Sequence, residues 1–370
     1  MVRYTGSDET VHGLVPCTGI LLTNLGTPDE PTASAVRRYL AEFLSDPRVI
    51  EVPKPLWWFV LHGIILRTRP QKSAKLYRKI WTNEGSPLLT IVNKQAGAIR
   101  QLLAQKIPGP VRVEVGMRYG NPSLQSALEK LSQANTQRLL VLPLYPQYSA
   151  TTTASTFDAV AKILHSWRWL PELRMINHYH DDAGYIELLA RSIRLHWEQH
   201  GQAEKLLFSF HGIPKHYFLA GDPYFCECQK TARLVAEKLG LATGQWLVTF
   251  QSRFGPREWL QPYTDKTLQT LATSGVASVN VICPGFSSDC LETLEEINIQ
   301  NRTLFLSSGG SEFTYIPALN DNEAHIEMLS DLLIRNMRGW PECDRRQDSK
   351  ISGTTVQQRL LRVEQVKKQA

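Results

Sequence analysis

The chain has 370 residues, with 41 Lys and Arg against 35 Asp and Glu, which gives a formal net charge of +6. Its composition, 42% hydrophobic and 21% charged, is ordinary for a globular protein and excludes a wholly disordered one. At roughly 100–200 residues per domain, the length predicts two or three domains or lobes. The mild positive excess is compatible with a membrane surface, a nucleic acid or an acidic small molecule, and it selects none of them.

Three features bear on the setting of the protein. Six cysteines are too few for a disulfide scaffold at this length. Residues 1–18 lack the basic stretch followed by an apolar one that marks a secretory signal. The longest apolar stretch, 55–66, is about half a bilayer span. We therefore expect a reduced, cytoplasmic protein without a transmembrane segment.

Short β-rich runs alternate with longer helical patterns along the chain. Several runs are rich in Val, Ile and Leu and bounded by Gly or Pro, which is typical of strands buried on both faces. The predicted strands are Ile20–Leu25, Val111–Met117, Leu139–Leu144, Arg174–His178, Leu206–Phe210, Trp246–Gln251, Val276–Cys283 and Thr314–Ile316. The predicted helices are Ala33–Phe43, Pro87–Gln105, Leu124–Ala134, Ala159–Trp167, Gly184–Glu198, Cys226–Leu239, Gln261–Thr273 and Glu323–Asn336. This alternation indicates βαβ units and parallel sheets, and hence the α/β class.

The two halves of the chain weakly repeat each other. Residues 19–28 and 205–214 are both apolar strands that end in a Gly-x-Pro loop. This repeat predicts two Rossmann-like lobes around a cleft. The predicted divisions are an N-terminal extension 1–17, lobes 18–180 and 181–340, and a basic tail 341–370 with a weak helical stretch near 356–366.

Ligands of such sheets bind outside the carboxyl ends of the strands. The loops to inspect therefore follow Leu25, Tyr145, Phe210, Ser252 and Pro284. Neither G-x-G-x-x-G nor a P-loop occurs in the sequence, so a nucleotide is not the expected ligand. The loops 143–156 and 251–260 carry tyrosines, hydroxyls, arginines and a tryptophan. Each loop on its own is typical of a structural loop or a helix cap. If both face one cleft, their side chains would line a flat aromatic pocket.

The segment 209–214 places His211 at the end of a predicted strand, on a loop shaped by Gly and Pro. On position alone, His211 fits a cleft-facing group as well as a core or capping histidine. The segment 284–297 predicts a helix with Asp289, Glu292 and Glu296 on one face. A solvated acidic helix terminus is the alternative there. One imidazole with one or two carboxylates would bind Fe²⁺ weakly and leave coordination positions open.

Residues 56–79 combine an apolar block with a basic end. Trp57–Leu66 is strongly apolar, and six Lys and Arg follow between 67 and 79 with no acidic residue among them. The pattern suits an amphipathic anionic ligand or the headgroup region of a membrane, and equally a core helix with a solvated basic end. RNA-binding motifs are missing, so we expect no nucleic-acid partner.

Over about residues 18–337 the chain resembles the ferrochelatases, which insert Fe²⁺ into a porphyrin to make haem. The resemblance runs through LLTNLGTPDEPT, FLSDPRVIEVP, GSPL, GMRYGNPSL, LPLYPQYSATT, SFHGIP, FQSRFGPREWLQPYT and CPGFSSDCLETLEEI. It implies a chelatase-like fold of two Rossmann-like lobes around a porphyrin cleft. It also implies protoporphyrin IX and Fe²⁺ as substrates and release of two protons, the terminal step of haem biosynthesis.

The same resemblance implies roles for individual residues. His211 and Glu292 correspond to the two residues that act at the iron site and in catalysis. The resemblance leaves open which of the two takes the pyrrole protons. Glu296 corresponds to the next rung of an acidic path, and the rung after it, often acidic in relatives, is Gln300 here. The implied porphyrin contacts are Leu25, Arg69, Tyr77, Ser86, Tyr148 and Trp259.

Among those contacts, Arg69, Tyr77 and Ser86 are the candidates for holding the propionates. The Trp57–Leu66 block corresponds to the family's apolar lip over the cleft mouth. This lip could contact the inner face of the membrane peripherally, although a soluble enzyme with an exposed cleft mouth fits the same sequence. The oligomeric state stays open.

No cofactor is expected beyond the substrate iron. Relatives with a [2Fe–2S] cluster use three cysteines near the C-terminus and one internal cysteine, whereas this chain has Cys343 alone and Ala150 at the internal position. Two alternative functions stay open. A chelatase for cobalt or nickel usually has more than one pocket histidine, and Cys290 stands where some relatives have one. A porphyrin carrier would need no acidic helix beside His211.

Overall fold

The computed structural model describes residues 15–343, together with Tyr4 and four residues of the tail (Gln358, Leu361, Arg362 and Gln365). Most of the predicted extension 1–17 and of the predicted tail 341–370, with its weak helical stretch, therefore lies outside the described residues. The eight predicted strands are confirmed. They are β1 (Cys17–Thr27), β2 (Val111–Gly120), β3 (Thr136–Pro143), β4 (Glu172–Met175), β5 (Lys205–His211), β6 (Trp246–Gln251), β7 (Ser278–Ile282) and β8 (Glu312–Ile316).

The helices follow the strands in chain order, with three π-helical stretches between them. The α-helices are α1 (Ala33–Leu44), α2 (Lys54–Val60), α3 (Leu66–Ile80), α4 (Pro87–Lys106), α5 (Leu124–Gln133), α6 (Ser155–Leu164), α7 (Ala183–His200), α8 (Lys215–Leu219), α9 (Tyr224–Leu239), α10 (Thr264–Thr273), α11 (Arg302–Ser307) and α12 (Glu323–Asn336). The π-helical stretches are Leu61–Ile65, Ala150–Ala154 and Glu292–Asn301, and a short 3₁₀ turn covers Pro341–Cys343.

The strands form two parallel four-stranded sheets with the orders β2-β1-β3-β4 and β6-β5-β7-β8. This confirms the α/β class with two parallel sheets. In each sheet the first strand lies inside, the second is added on one side of it and the third on the other, so the direction in which strands are added reverses beside the first strand. Ligands of such sheets bind at that switch point, outside the carboxyl ends of the strands. The loops after β1, β3, β5 and β7 therefore meet where a ligand is expected.

Burial explains why these runs form interior strands. Every residue of β1 except Leu25 is buried, as expected for a strand covered by helices on both faces. Leu22 of β1 and Phe208 of β5 belong to one hydrophobic cluster that spans both sheets. Helix α12, which follows β8, packs on α4 beside the first sheet, where Lys106 pairs with Asp331 at 2.9 Å. The two sheets are thus held by a shared core and by a returning helix.

The acidic helix begins later than the sequence predicts. Asp289 precedes the helix and is buried, where it accepts hydrogen bonds from the hydroxyl of Tyr315 (2.6 Å) and the amide of Asn320 (2.7 Å). The prediction that Asp289 shares a helical face with Glu292 and Glu296 is wrong. The carboxylate is held by partners on and after β8, which keeps residue 289 outside the helix.

Candidate active site

A cleft of about 580 Å³ lies between the carboxyl ends of the two sheets. That volume is within the range of small-molecule sites. Its walls come from the segments after β1, β3, β5, β6 and β7, as predicted, and from α1, α2, α3 and the loop before α2. Both His211 and Glu292 are among its lining residues.

The end of β1 forms one wall. Gly26 adopts φ +108°, and a Cβ on it would lie 1.8 Å from the carbonyl oxygen of Tyr119. Only glycine fits so close to β2 in this backbone conformation. The neighbouring Thr27 donates its hydroxyl to Ser86 at 2.9 Å. This close packing sets Leu25, Thr27 and Ser86 along the cleft.

His211 ends β5 and lines the cleft. Its Nδ1 lies 2.7 Å from the carbonyl oxygen of Gly212. A carbonyl only accepts, so Nδ1 carries the proton, and in the neutral ring the lone pair is on Nε2. Gly212 itself leaves no room for a side chain, because a Cβ there would lie 2.9 Å from the carbonyl oxygen of Gln251. The loop therefore fixes an imidazole with one nitrogen free for a metal or a proton.

Glu292 begins the π-helical stretch and also lines the cleft. Its backbone carbonyl accepts from the side-chain amide of Gln251 at 2.9 Å, and the amide oxygen of Gln251 accepts from Ser209 at 2.6 Å. Because Ser209 lies on β5 two residues before His211, Gln251 links the two strand ends to the helix that carries Glu292. Sequence reasoning missed Gln251, whose role depends on contacts distant in the chain.

Glu296 lies one turn beyond Glu292 and is not among the residues that line the cleft. Its Oε1 accepts from the backbone N–H of Ser252 at 2.8 Å, and its Oε2 accepts from the Ser252 hydroxyl. Burial raises the pKa of the Glu296 carboxyl, an effect to which the charge of Glu292 adds and which Ser252 and His211 oppose. A buried carboxyl with raised pKa behind a cleft-lining one can take up and release protons.

Three of the groups near Glu292 are uncharged. Burial raises the pKa of the Tyr39, Tyr77 and Cys290 side chains well above their ordinary values, and the charge of Glu292 adds to each shift. All three line the cleft and stay protonated near neutral pH. Two more lining groups, the hydroxyls of Tyr145 and Ser288, are buried without a hydrogen-bond partner among the described residues. These hydroxyls are free to contact a ligand.

Arg69 supplies positive charge at the cleft. Its guanidinium carbon lies 3.9 Å from the ring centroid of Phe254, a cation–π contact. Burial lowers the pKa of Arg69, but a guanidinium stays charged near neutral pH. Within residues 15–343 no carboxylate forms an ion pair with Arg69. By contrast, Arg253 on the same side is paired to both oxygens of Asp265 (2.7 and 2.8 Å). Arg257 also lines the cleft without a carboxylate partner among the described residues, but it is exposed and contacts Nε2 of His216 at 3.1 Å. Arg69 is therefore the half-buried lining arginine available to an anionic ligand.

Seven of the nine candidate site residues line the cleft, namely His211, Glu292, Leu25, Arg69, Tyr77, Ser86 and Trp259. The other two, Glu296 and Tyr148, lie outside its lining. The backbone N–H of Tyr148 donates to Glu227 at 2.6 Å, on the far side of the loop after β3. Sequence reasoning also missed the aromatic wall formed by Tyr39, Phe43 and Tyr224. The only signal for it in the sequence is the amphipathic pattern of the helices.

Comparisons with known proteins identify the family of the chain. The sequence model of the family described as Ferrochelatase matches residues 17–337. Ferrochelatases of Thioalkalivibrio sulfidiphilus and Nitrosococcus oceani are each 56% identical to the chain, with 93% of both chains covered. The ferrochelatase of Marinobacter nauticus is 57% identical and covers 91% of both.

A solved structure described as SirB from Bacillus subtilis with Fe³⁺ matches 87% of this chain and 96% of that one, with a TM-score of 0.52 and 9% identity. At that identity the likeness concerns the fold alone. The relatives in sequence match over nearly their full length. The chain belongs to the ferrochelatase family.

Proposed function

We propose that this chain inserts Fe²⁺ into protoporphyrin IX to form protohaem and release two protons, with His211 and Glu292 as the catalytic pair at the iron. The observation that carries this assignment is the meeting of a free imidazole nitrogen and a carboxylate in one apolar cleft. One nitrogen and one oxygen ligand hold Fe²⁺ weakly and leave positions open to the ring nitrogens. Such a set transfers a metal ion rather than stores it.

The reaction needs a path for protons as well as a place for iron. Two N–H protons leave the ring as the metal enters, and the lone pair on Nε2 of His211 offers an acceptor for one of them. Glu292 and Glu296 follow each other along the π-helical stretch. The raised pKa of Glu296 suits a group that receives a proton from its neighbour and passes it on. Glu296 is thus proposed as the third catalytic residue.

The porphyrin contacts fall into two groups. Arg69, Tyr77 and Ser86 are proposed to hold the propionates, because they combine a free positive charge with two hydroxyls. Leu25 and Trp259 are proposed to contact the ring plane, and Tyr148 to contact it only at an edge. A grip on the rim would bend the ring and expose the nitrogen lone pairs, so that binding energy pays for distortion.

The proposal includes no cofactor beyond the substrate iron, no iron–sulfur cluster and no nucleic acid. We also propose a cytoplasmic location with peripheral membrane contact through Trp57–Leu66. The supporting observation is that Leu56, Trp58, Phe59 and Ile64 are 56–67% exposed. An indole ring and a basic helix α3 beside them suit the headgroup region. No helix of the described residues is long and apolar enough to cross a membrane.

The experiment incubates the pure protein anaerobically with protoporphyrin IX and Fe²⁺ and follows the visible bands of the free porphyrin. Loss of these bands well above the rate without protein is expected. A rate equal to the blank with Fe²⁺, Co²⁺ and Zn²⁺ alike would instead indicate a porphyrin carrier. Turnover with Co²⁺ or Ni²⁺ and none with Fe²⁺ would indicate a chelatase for another metal.

A further inference from the structure

A second cluster of metal-binding side chains lies outside the cleft lining. His178 and His180 follow β4, and Glu227 lies in the first turn of α9. One ligand atom from each residue lies within 4.8 Å of the others. Nδ1 of His178 is 2.7 Å from Oε1 of Glu227, and Nδ1 of His180 is 3.2 Å from Oε2. The carboxylate therefore faces an imidazole on each side.

The imidazole of His180 is buried and poorly satisfied by hydrogen bonds, as expected for a metal ligand. His180 is 5% exposed, yet within the described residues its Nδ1 makes no aligned hydrogen bond, even to the nearby carboxylate of Glu227. Its Nε2 faces Asp181 at 3.9 Å, and Lys230 holds that carboxylate at 2.6 Å. A metal-bound histidine usually donates its second ring N–H to an acidic group or a carbonyl, and Asp181 lies beside that nitrogen, although at 3.9 Å it is beyond hydrogen-bond distance. Among the described residues Nε2 of His325 is also buried without a partner, but the unpartnered nitrogen of His180 differs in lying within reach of two further ligand groups.

We propose that His178, His180 and Glu227 bind a divalent transition-metal ion of the Zn²⁺ and Co²⁺ type, at a site separate from the iron-insertion cleft. Two imidazole nitrogens and one carboxylate are the donors that such borderline ions prefer. Mg²⁺ and Ca²⁺ are disfavoured because they select oxygen ligands. Three protein ligands leave one tetrahedral position for water, on the side of the exposed His178 ring.

The position of the cluster gives the ion a structural role. Glu227 also accepts the backbone N–H of Tyr148 at 2.6 Å. Thr231, one turn along α9, donates to the carbonyl oxygen of His180 at 2.9 Å and accepts from Gln147 at 3.0 Å. The cluster thus joins the loop after β4 and α9 to the loop after β3, whose residue Gln147 lines the cleft. A bound ion would lock these three segments together.

The test uses the metal-depleted full chain, with Co²⁺ as a spectroscopic probe. The His211→Ala variant serves as the parent protein, because removing this imidazole weakens metal binding in the cleft. Titration followed by calorimetry and visible absorption should show one site with the intense ligand-field bands of four-coordinate Co²⁺. Zn²⁺ should displace the Co²⁺ and raise the melting temperature. In this background, His178→Ala and Glu227→Gln should weaken Co²⁺ binding by more than about tenfold, since even an outer-shell loss costs that much.

The control is His196→Gln, which alters the other adjacent histidine pair, His196 and His200, whose ring centroids are 4.6 Å apart on α7. Binding should survive this change. Because the His178 side chain is exposed, His178→Ala should fold normally, and its circular dichroism spectrum should match the parent. Equal Co²⁺ affinity and spectrum in the parent and in His178→Ala would overturn the proposal, as would loss of binding only in His196→Gln.

Discussion

Ser252 holds the carboxylate of Glu296 from two donors, its backbone N–H at 2.8 Å and its hydroxyl. Ser252 adopts φ 66°, a left-handed conformation that is costly for a residue with a side chain. The backbone of the loop after β6 is therefore strained at the residue that binds the Glu296 carboxylate. This contact opposes the effect of burial on Glu296, so it tunes the proton affinity of the proposed relay.

The Ser252→Ala substitution should shift the pH dependence of iron insertion. The hydroxyl stabilises the ionised form of Glu296, so its loss should raise the pKa of that carboxyl further. If the ionised form is the one that accepts protons, the acid limb of the kcat/KM profile moves to higher pH. Ser274→Ala, at an exposed helix end, is the control and should leave the profile unchanged. A uniform loss of rate at every pH would contradict the relay role of Glu296.

The Arg69→Ala substitution should weaken porphyrin binding through the propionates. A hydrogen bond to a charged group contributes about 1.5–3 kcal/mol, which corresponds to an increase in KM of about 10–100-fold. Arg67→Ala, two residues earlier and exposed, is the matched control. With the dimethyl ester of the porphyrin, the difference between Arg69→Ala and the wild type should largely vanish. Equal KM values for the two arginine variants would rule out Arg69 as the propionate partner.

Acid should destabilise the fold through His325. This residue is buried at the start of α12, with Nδ1 2.7 Å from the carbonyl oxygen of Asn320, and burial lowers its pKa from 6.5 to about 4. The unfolded chain therefore binds the proton first. Burying the uncharged His325 therefore contributes its full share to the free energy of unfolding above pH 6.5, and this share is lost as the pH falls towards 4. The loss amounts to about 3 kcal/mol.

Urea unfolding across this pH range checks the expectation. His325→Gln can still donate to Asn320 and does not titrate, so its free energy of unfolding should fall less steeply with acid than that of the wild type. His165→Gln alters an exposed histidine and should keep the wild-type slope. Parallel pH dependences of the wild type and His325→Gln would show that other groups dominate acid unfolding.

The exposed apolar residues of the lip should mediate membrane contact. Replacing Trp58 and Phe59 by Ser removes the two exposed aromatic rings, so sedimentation with vesicles of anionic lipid should fall several-fold while porphyrin binding persists. Leu219→Ser changes a residue that is 72% exposed elsewhere on the surface and should have no effect. Vesicle binding that is equal in the lip variant and the wild type would contradict this contact.

Much of the architecture follows from local sequence. Apolar runs ending at Gly or Pro predicted the strands, and a parallel sheet brings their carboxyl ends together, which made His211 a candidate for the cleft. Position alone left a core or capping histidine equally open, and the resemblance to ferrochelatases favoured the active site. The edge strand β4 was predicted two residues late at its start. Its pairing with β3 ends at Met175, although the extended pattern continues to His178.

Features that depend on distant partners could not be predicted. Asp289 has the spacing of a helical residue, but Tyr315 and Asn320 hold it outside the helix. Gln300 stands where relatives continue an acidic path, and in the fold it donates to Glu295 instead. The cluster around Glu227 joins residues 49 positions apart along the chain. None of these contacts leaves a periodic or compositional signal.

The most direct test of the central claim compares His211→Ala and Glu292→Gln with the wild type in anaerobic Fe²⁺ insertion, and measures protoporphyrin binding separately by fluorescence quenching. Each variant should lose at least about 100-fold in kcat, the scale of a lost acid–base group, while porphyrin affinity changes by only a few-fold. His165→Ala serves as the control for removing an imidazole. Near-normal turnover in both variants would contradict the assignment of this pair to the iron.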